Sequence, residues 1–130
     1  MEEQEKKTRM GIATFEKRRN PRFLLDLPIE YLQVDSSLAR PGRTGNASKG
    51  GLLVYLNEEP DIGQYLRVKL FFTLGRELVV VSALSEVVWI NTYFGKEGDY
   101  QCGLRFREIS PEDLQKLESF LDHLSRSQKL

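Results

Sequence analysis

Cationic and short polar side chains recur at fixed spacings in two segments of this chain. The first segment, EKRRNPR at residues 16–22, carries four cationic side chains in seven positions and includes the spacing Arg18-x-x-x-Arg22. The planar guanidinium of arginine pairs bidentately with phosphate oxygens and with the O6 and N7 atoms of guanine. A spacing of four lets both arginines approach one ligand from a single bend, and Pro21 disfavours a helix at Asn20. These residues predict either a cationic hook for an anion or a solvated basic linker.

The second segment is NASKGG, residues 46–51. Asn46 and Ser48 are two positions apart, so they point the same way in an extended chain. Both are short polar groups suited to a base edge or a phosphate oxygen. Gly50 and Gly51 allow a tight turn and a close approach of a ligand to the backbone. The same residue types are also typical of a plain β-turn, so both interpretations stay open at this point.

The chain as a whole is electrically balanced, although its N-terminal segment is positive. The 130 residues include 19 Lys and Arg against 19 Asp and Glu, whereas residues 1–22 hold seven cations and four acids. General nucleic-acid binding usually requires a large basic excess, so any anion site should be local. An apolar content of 40% and a charged content of 29% are typical of one globular domain. The polar N terminus predicts no secretory signal, and no apolar run is long enough to span a bilayer.

Cysteine and histidine are too scarce for most site chemistry. Cys102 and His123 each occur once, which rules out an internal disulfide and makes a zinc site improbable. The usual Cys-His and Ser-His catalytic arrangements are disfavoured for the same reason. We therefore expect no metal, no cofactor and no catalytic residues, and a single cysteine fits a reducing cytoplasm. Carboxylates that an enzyme could use as acid–base pairs are Asp26, Glu30, Glu86 and Asp99, but alternating strands carry such residues on their wet faces.

The elements that must position these residues are mostly strands. Alternation is clear in LLDLPIEYLQV, YLRVKLFF and YQCGLRF, and it continues through a β-branched stretch at residues 78–90 that reads as one bent strand or two. Pro28 places the first strand at an edge or with its nitrogen facing solvent. GRTGNASKGG, at residues 42–51, reads as a turn-rich connection. Five to seven antiparallel strands result, which predicts a small barrel or sandwich.

One amphipathic helix is predicted at the end of the chain. Ser110 is suited to the N-cap, Pro111 to the first helical position, and acidic residues follow in the first turn. Leucine and phenylalanine side chains then recur on one helical face, and we expect this helix to pack across one opening of the strands.

Taken together, Arg18-x-x-x-Arg22 and Asn46-x-Ser48-x-x-Gly51 resemble the signature of PilZ domains, the bacterial receptors for cyclic di-GMP. RRNPRFLLDLPIEY resembles the lead into the first PilZ strand, NASKGGLLVYL the second motif with its strand, and CGLRFREISPEDLQKLESFL the final strand and closing helix. The resemblance covers about residues 16 to 124. It implies an all-β fold with a C-terminal helix, namely a six- to seven-stranded antiparallel barrel over residues 18–124. A flexible N-terminal arm at 1–17 and a tail at 125–130 complete the expected organisation.

The resemblance also implies roles for individual residues. Arg18 and Arg22 would grip a guanine base and the phosphates, while Asn46 and Ser48 would address the guanine edge and a phosphate from the barrel surface. Gly51 would keep that surface clear. Secondary contacts with the ligand are expected from Lys17, Arg19, Gly50 and Trp89; a tryptophan in the core or at the rim is the alternative for Trp89.

The implied function is that of a cytoplasmic bacterial cyclic di-GMP effector that catalyses nothing. Ligand would draw the arm onto the barrel, at an ordering cost of about 1–2 kcal/mol per fixed residue, and so change a surface read by a downstream protein. One bound cyclic di-GMP and a stacked pair remain alternatives. Asn46 departs from the aspartate most common at its position, and an uncharged acceptor should cost about 1 kcal/mol of affinity.

Two other binding functions compete with this one. The first is a PilZ-like protein-interaction adaptor that does not bind nucleotide, for which Asn46 is the support. The second is a small barrel for single-stranded nucleic acid, which requires stacking aromatics and a basic groove. Its candidate stacking residues are Tyr31, Tyr55, Tyr65 and Tyr93. The zero net charge disfavours this second alternative, and we expect neither DNA or RNA binding nor membrane insertion.

Overall fold

Six antiparallel strands form a closed barrel in the computed structural model of the chain, which describes residues 23–96 and 98–128. The strands neighbour one another in the order β1-β2-β3-β6-β5-β4, and β4 pairs back onto β1. The predicted all-β fold with a C-terminal helix is confirmed. The elements are β1 Phe23–Gln33, β2 Arg40–Ser48, β3 Gly51–Leu56, β4 Tyr65–Leu74, β5 Glu77–Gly95, β6 Gly98–Ile109 and α1 Pro111–Gln128.

The barrel interior is filled by the apolar side chains that alternate along each strand. On β4, Leu66, Val68, Leu70 and Phe72 are buried, while the residues between them are exposed or half-buried. Since successive side chains of a strand point to opposite faces, period-two patterning assigns one face to the core and the other to the outside. The interior of the barrel is therefore a packed core, and any ligand must bind on its outside or at its ends.

Pro28 lies on the solvent side of β1, opposite Arg43 of β2. The ladder between β1 and β4 begins only at Ile29, so Pro28 has a paired strand on one side alone. A missing backbone N–H is tolerated at such a position even though the barrel as a whole is closed.

The prediction of a turn-rich connection at residues 42–51 is wrong for most of its length. Residues 40–48 form β2, which pairs with β1 on one side and with β3 on the other. Only Lys49 and Gly50 make the turn between Ser48 and Gly51. Hydrogen-bonded strand pairing on both sides outweighs the weak strand propensity of glycine and asparagine, because β-propensity depends strongly on the packing context of each residue.

The β-branched stretch at residues 78–90 belongs to a single strand. The 19-residue β5 pairs without interruption through Ser82 and Ala83 with β4, so of the two alternatives, one bent strand or two, the first is correct. Its register against β6 shifts between Leu84 and Ser85 and again between Val87 and Trp89. Such irregularities bend a strand and increase its twist, which lets one long strand follow the curvature of the barrel.

The helix α1 begins as its sequence predicts. The Ser110 hydroxyl accepts a hydrogen bond from the backbone N–H of Asp113 at 3.1 Å, which is N-cap geometry. Leu117 and Leu121 are buried, and Phe120 stacks on Phe72 of β4 with ring centroids 4.2 Å apart. The apolar face of the helix thus closes part of the barrel, and its placement agrees with the prediction.

Candidate ligand-binding site

Four of the predicted ligand-binding residues lie on one continuous outer face of β2, β3, β6 and β5, which we call the outer wall. They are Asn46, Ser48, Gly51 and Trp89. Ala47, Leu52, Leu104 and Val87 occupy one row and are all buried in the core. The flanking positions therefore face outward on these strands. They form two rows across the sheet: Asn46–Leu53–Gly103–Trp89 and Ser48–Gly51–Arg105–Glu86.

Ser48 ends β2 and is held in place by the turn that follows. Its hydroxyl oxygen accepts a hydrogen bond from the Gly50 backbone N–H at 3.1 Å. The Gly50 carbonyl in turn accepts from the Phe106 N–H of β6 at 2.9 Å. Because the Ser48 oxygen acts here as an acceptor, its own hydrogen stays available to donate to a phosphate or carbonyl oxygen.

Asn46 is positioned by an irregularity in the β2–β3 ladder. The register shifts between Thr44 and Asn46, which leaves Gly45 without a partner on β3. The buried Thr44 hydroxyl lies 2.8 Å from the Leu53 carbonyl oxygen and 3.0 Å from that of Asn46. Its hydrogen bonding to these carbonyls stabilises the local bend, so Thr44 is a positioning residue that the sequence reasoning missed.

Gly51 is required by the close approach of two strands. A Cβ atom at this position would overlap the Leu104 carbonyl oxygen of β6. A carbonyl belongs to the backbone and cannot rotate away as a flexible side chain can, so any larger residue must shift β3 from β6. The glycine of the second motif thus has a packing reason that stands independently of any ligand.

Trp89 lies on the outer wall and is half-buried rather than part of the barrel core. A Cβ at Gly103 would overlap its indole ring, so the absence of a side chain at Gly103 lets the tryptophan pack against β6 at this position. Beyond it on the same side, the rings of Tyr55 and Tyr93 are tilted with centroids 4.9 Å apart. The wall therefore offers aromatic surface beside Asn46, which is suited to stacking with a purine.

Some charged side chains at the Ser48 end of the outer wall form ion pairs and others do not. Glu86 accepts a 2.6 Å hydrogen bond from Nε of Arg107, and its carboxylate also contacts the Arg107 terminal nitrogen. Arg105, which is the cross-strand neighbour of Glu86, is exposed and has no ion pair among the described residues. In the adjoining turn, Nζ of Lys49 lies 3.7 Å from Oε2 of Glu118 on α1. The outward position of Arg105 could have been predicted from the sequence, because the alternation in CGLRF places it on the face opposite to Cys102 and Leu104.

A groove of about 820 Å³ lies on a different part of the barrel, between β1, β4, β5, β6 and the start of α1. Of the predicted site residues that the structure describes, none lines it. The described part of its lining includes the cations Arg67, Lys69 and Arg107 and an equal number of carboxylates, those of Glu30, Glu108 and Asp113. This balance gives the groove no net attraction for a dianion. We therefore place the candidate anion site on the outer wall, where the predicted motif residues gather, and not in this groove.

The carboxylates considered for catalysis are dispersed over the barrel. Asp26 pairs with Arg43 at 2.7 Å, and Glu86 pairs with Arg107. Glu30 and Asp99 are exposed on β1 and β6. Within residues 23–96 and 98–128, no three His, Cys, Asp or Glu side chains come together in a way that could hold a metal ion.

Burial raises the pKa values of two ionisable side chains in the core. The Cys102 thiol is fully buried, which raises its pKa to about 11, with the Glu59 carboxylate adding a smaller effect. Burial also raises the pKa of Tyr31, and Glu58 contributes to the same direction. Since Tyr31 belongs to the core, it is not available to stack on a nucleic acid, unlike the exposed Tyr65 and Tyr93.

The remaining predicted residues, Lys17, Arg18, Arg19 and Arg22, lie outside the part of the chain that the structure describes, as does the predicted arm at residues 1–17. Chain continuity gives one constraint. Phe23, which follows Arg22 directly, is paired with Ala47 between Asn46 and Ser48. The backbone thus enters the barrel beside the second motif. No helix among the described residues is both long and apolar enough to cross a bilayer.

The fold and this wall define a class of protein: a small closed antiparallel barrel with a capping C-terminal helix and a polar motif at its β2–β3 turn. The sequence model of the PilZ domain matches residues 16–123, and the chain belongs to the PilZ domain family. No curated protein matches the sequence significantly.

Several solved structures share the fold at low sequence identity. The inhibitor of motility MotI/DgrA of Bacillus subtilis superposes with a TM-score of 0.76 at 18% identity, covering 88% of this chain and 54% of its own. Escherichia coli YcgR in complex with c-di-GMP gives a TM-score of 0.68 at 17% identity, covering 85% of this chain and 47% of its own. The PilZ domain of YcgR with c-di-GMP gives 0.65 at 16% identity, covering 85% and 93%. This chain thus spans about half the length of the first two proteins, and essentially one domain of YcgR.

Proposed function

We propose that this PilZ chain is a receptor for cyclic di-GMP that binds the dinucleotide on the outer wall. The observation that carries the proposal is the common outward placement of Asn46 and Ser48 on β2, directly beside the point where the chain from Arg22 enters the barrel. Two solved relatives of the same fold, YcgR and its PilZ domain, are complexes with c-di-GMP, which supports the same ligand class here.

The proposed division of roles follows the chemistry of each side chain. The Ser48 hydroxyl donates to a phosphate oxygen, and Asn46 addresses the edge of a guanine. Trp89 supplies aromatic surface, and Gly50 and Gly51 let the ligand approach the turn. Arg18 and Arg22 pair with a guanine and with the phosphates, while Lys17 and Arg19 add positive charge.

An open wall cannot enclose a dinucleotide without a cover. Ligand sites usually bury most of the ligand surface, and the strands alone offer one side. We propose that the N-terminal segment closes over the ligand and thereby changes a surface that a downstream protein reads. The Lys49–Glu118 contact supports a route from the turn to α1, since a phosphate near Lys49 competes with Glu118 for the ammonium group. The proposed setting is the bacterial cytoplasm, without catalysis, DNA or RNA binding, or membrane insertion.

Calorimetric titration of the full chain with cyclic di-GMP tests ligand binding and gives the stoichiometry, one molecule or a stacked pair. We expect Arg22→Ala to weaken binding at least tenfold, on the order of one charge-assisted hydrogen bond. Arg9→Ala, which removes an arginine of the same segment outside the motif, should stay within twofold of the parent. Absence of binding at tens of micromolar, or an Arg22→Ala variant that binds as the parent does, would refute the proposal.

Closure is tested separately by limited trypsin digestion. Residues 1–22 contain seven lysines and arginines, so the segment carries its own cleavage sites. We expect saturating cyclic di-GMP to slow cleavage after Arg18 and Arg19 at least fivefold, and cleavage after Lys6 and Lys7 less. Equal cleavage rates with and without a bound ligand would contradict closure while leaving binding intact.

The second candidate function is a PilZ adaptor that contacts proteins without binding nucleotide. Asn46 favours it, because an amide lacks the charge that strengthens an acceptor for guanine N–H groups. The same calorimetry separates the two, since the adaptor shows no heat of binding with the parent chain and none with an Asn46→Asp variant.

A further inference from the structure

Arg105 lies on the outer wall, belongs to neither sequence motif and stands in the same row as Ser48. Ser48 pairs with Gly51 across β2 and β3, and Gly51 pairs with Arg105 across β3 and β6. Arg105 is exposed, whereas Cys102 and Leu104 on the same strand are buried. The residue therefore presents a cation on the face where the proposed ligand binds.

The pairing of the neighbouring charges leaves this cation available. Glu86 is the cross-strand partner of Arg105 on β5, yet its carboxylate is engaged by Arg107, with Nε of Arg107 at 2.6 Å. Among the described residues Arg105 has neither an ion pair nor a side-chain hydrogen bond. An unpaired, exposed guanidinium can bind an anion without first breaking a contact within the protein.

The distances along the row suit a shared phosphate. Adjacent strands are about 4.8 Å apart, so the backbones at Ser48 and Arg105 are separated by roughly 10 Å. Gly51 lies between them and has no side chain to block the space. An extended arginine can cover more than half of that separation, and its planar fork then meets two oxygens of one phosphate.

We propose that Arg105 is a phosphate-binding residue of this site, reaching from β6 to the phosphate that the Ser48 hydroxyl contacts from β2. This inference rests on the proposed cyclic di-GMP function and adds a cation that the motifs do not contain. Because Arg105 stands on a paired barrel strand, binding by it requires ordering of one side chain and not of a backbone segment.

The test is calorimetric titration of the full chain and its Arg105→Gln variant with cyclic di-GMP. We expect the dissociation constant to rise about 5- to 20-fold, since charged hydrogen bonds are strong but this one is partly exposed to solvent. Arg105→Lys keeps the charge and loses the fork, so its affinity should fall at least threefold. Arg67→Gln on β4 is the matched control: it removes an exposed arginine from the other side of the barrel and should bind within twofold of the parent.

The outcomes separate this inference from the function on which it rests. If the parent chain binds and Arg105→Gln binds within twofold of it, the role of Arg105 is refuted and the receptor function stands. A parent that does not bind refutes the receptor function itself, and the role of Arg105 with it. If Arg105→Lys binds as the parent does, the bidentate contact is refuted. Melting temperatures within about 2 °C of the parent would show that the losses are not due to unfolding.

Discussion

We expect the removal of two buried hydroxyl groups in the barrel to have different effects on the free energy of unfolding. Thr44 and Ser85 are both 0% exposed, on β2 and β5 respectively. The Thr44 hydroxyl lies within hydrogen-bond distance of two carbonyl oxygens, at 2.8 and 3.0 Å. The Ser85 hydroxyl has no hydrogen-bond partner within residues 23–96 and 98–128. The comparison isolates the effect of hydrogen bonding, because burial and chemical group are the same at both positions.

Replacing Thr44 with valine removes the hydroxyl and retains the shape of the side chain. Two part-buried carbonyl oxygens then lose the single hydroxyl hydrogen that they share, so Thr44→Val should reduce the free energy of unfolding by about 1–2 kcal/mol. Ser85→Ala removes a hydroxyl whose desolvation nothing offsets, and the lost oxygen leaves a very small cavity. We therefore expect its free energy of unfolding to stay equal or to rise by up to about 1 kcal/mol.

Urea denaturation of the parent and both variants, followed by circular dichroism, provides the assay. The slope of free energy against urea should stay constant, so that a shift of the midpoint reports stability alone. Thr44→Val should also weaken cyclic di-GMP binding, because Asn46 is held by the same hydroxyl, whereas Ser85→Ala should leave binding unchanged. Destabilisation of equal size in both variants would refute the reasoning, as would a Thr44→Val variant as stable as the parent.

Three further predictions concern the site and the core. Asn46→Asp should lower the dissociation constant for cyclic di-GMP about fivefold, because a carboxylate is the stronger acceptor for guanine N–H groups; a weaker complex in calorimetry would contradict this. Phe120→Ala, which removes the ring stacked on Phe72, should cost about 3–5 kcal/mol in urea denaturation, and a loss below 1 kcal/mol would show that α1 adds little to the barrel. Because burial raises the Cys102 pKa to about 11, the thiol is protonated in both the folded and the unfolded state below about pH 9, and its titration costs no stability there. Stability should then fall by about 2–3 kcal/mol as the pH rises to about 11, and Cys102→Ala should lack this part of the loss; equal slopes in both chains would exclude it.

Local signals in the sequence were sufficient for the capping helix and for the inward face of most strands. The Ser110 N-cap depends on residues within one turn, and the observed hydrogen bond to the Asp113 N–H is the expected one. The alternation on β4 depends on neighbouring residues in the same way, and its four expected core side chains are buried. Such features follow from short-range geometry, which a sequence displays directly.

The assignment of β2 failed because its determinants are not local. Residues 40–48 are rich in glycine, asparagine and serine, and their strand conformation is due to pairing with β1 and β3 on both sides. The continuity of β5 through Ser82 has the same origin in its ladder with β4. Hydrogen bonds and packing between distant segments outweigh intrinsic strand preferences, which span only about 1 kcal/mol between residue types.

The sequence alone determined that this chain is an antiparallel β domain with a capping helix, and it supplied the two motifs that carry the PilZ resemblance. Only the tertiary structure decided which residues share the outer wall. Strand register places Asn46 in one row with Trp89 and Gly103, which both lie more than forty positions further along the chain. The tertiary structure also decided the partner of Glu86: Arg107 binds the carboxylate, and Arg105 is exposed in the same row as Ser48. Charge pairing depends on distances in space, and the order of residues along a chain does not specify those distances.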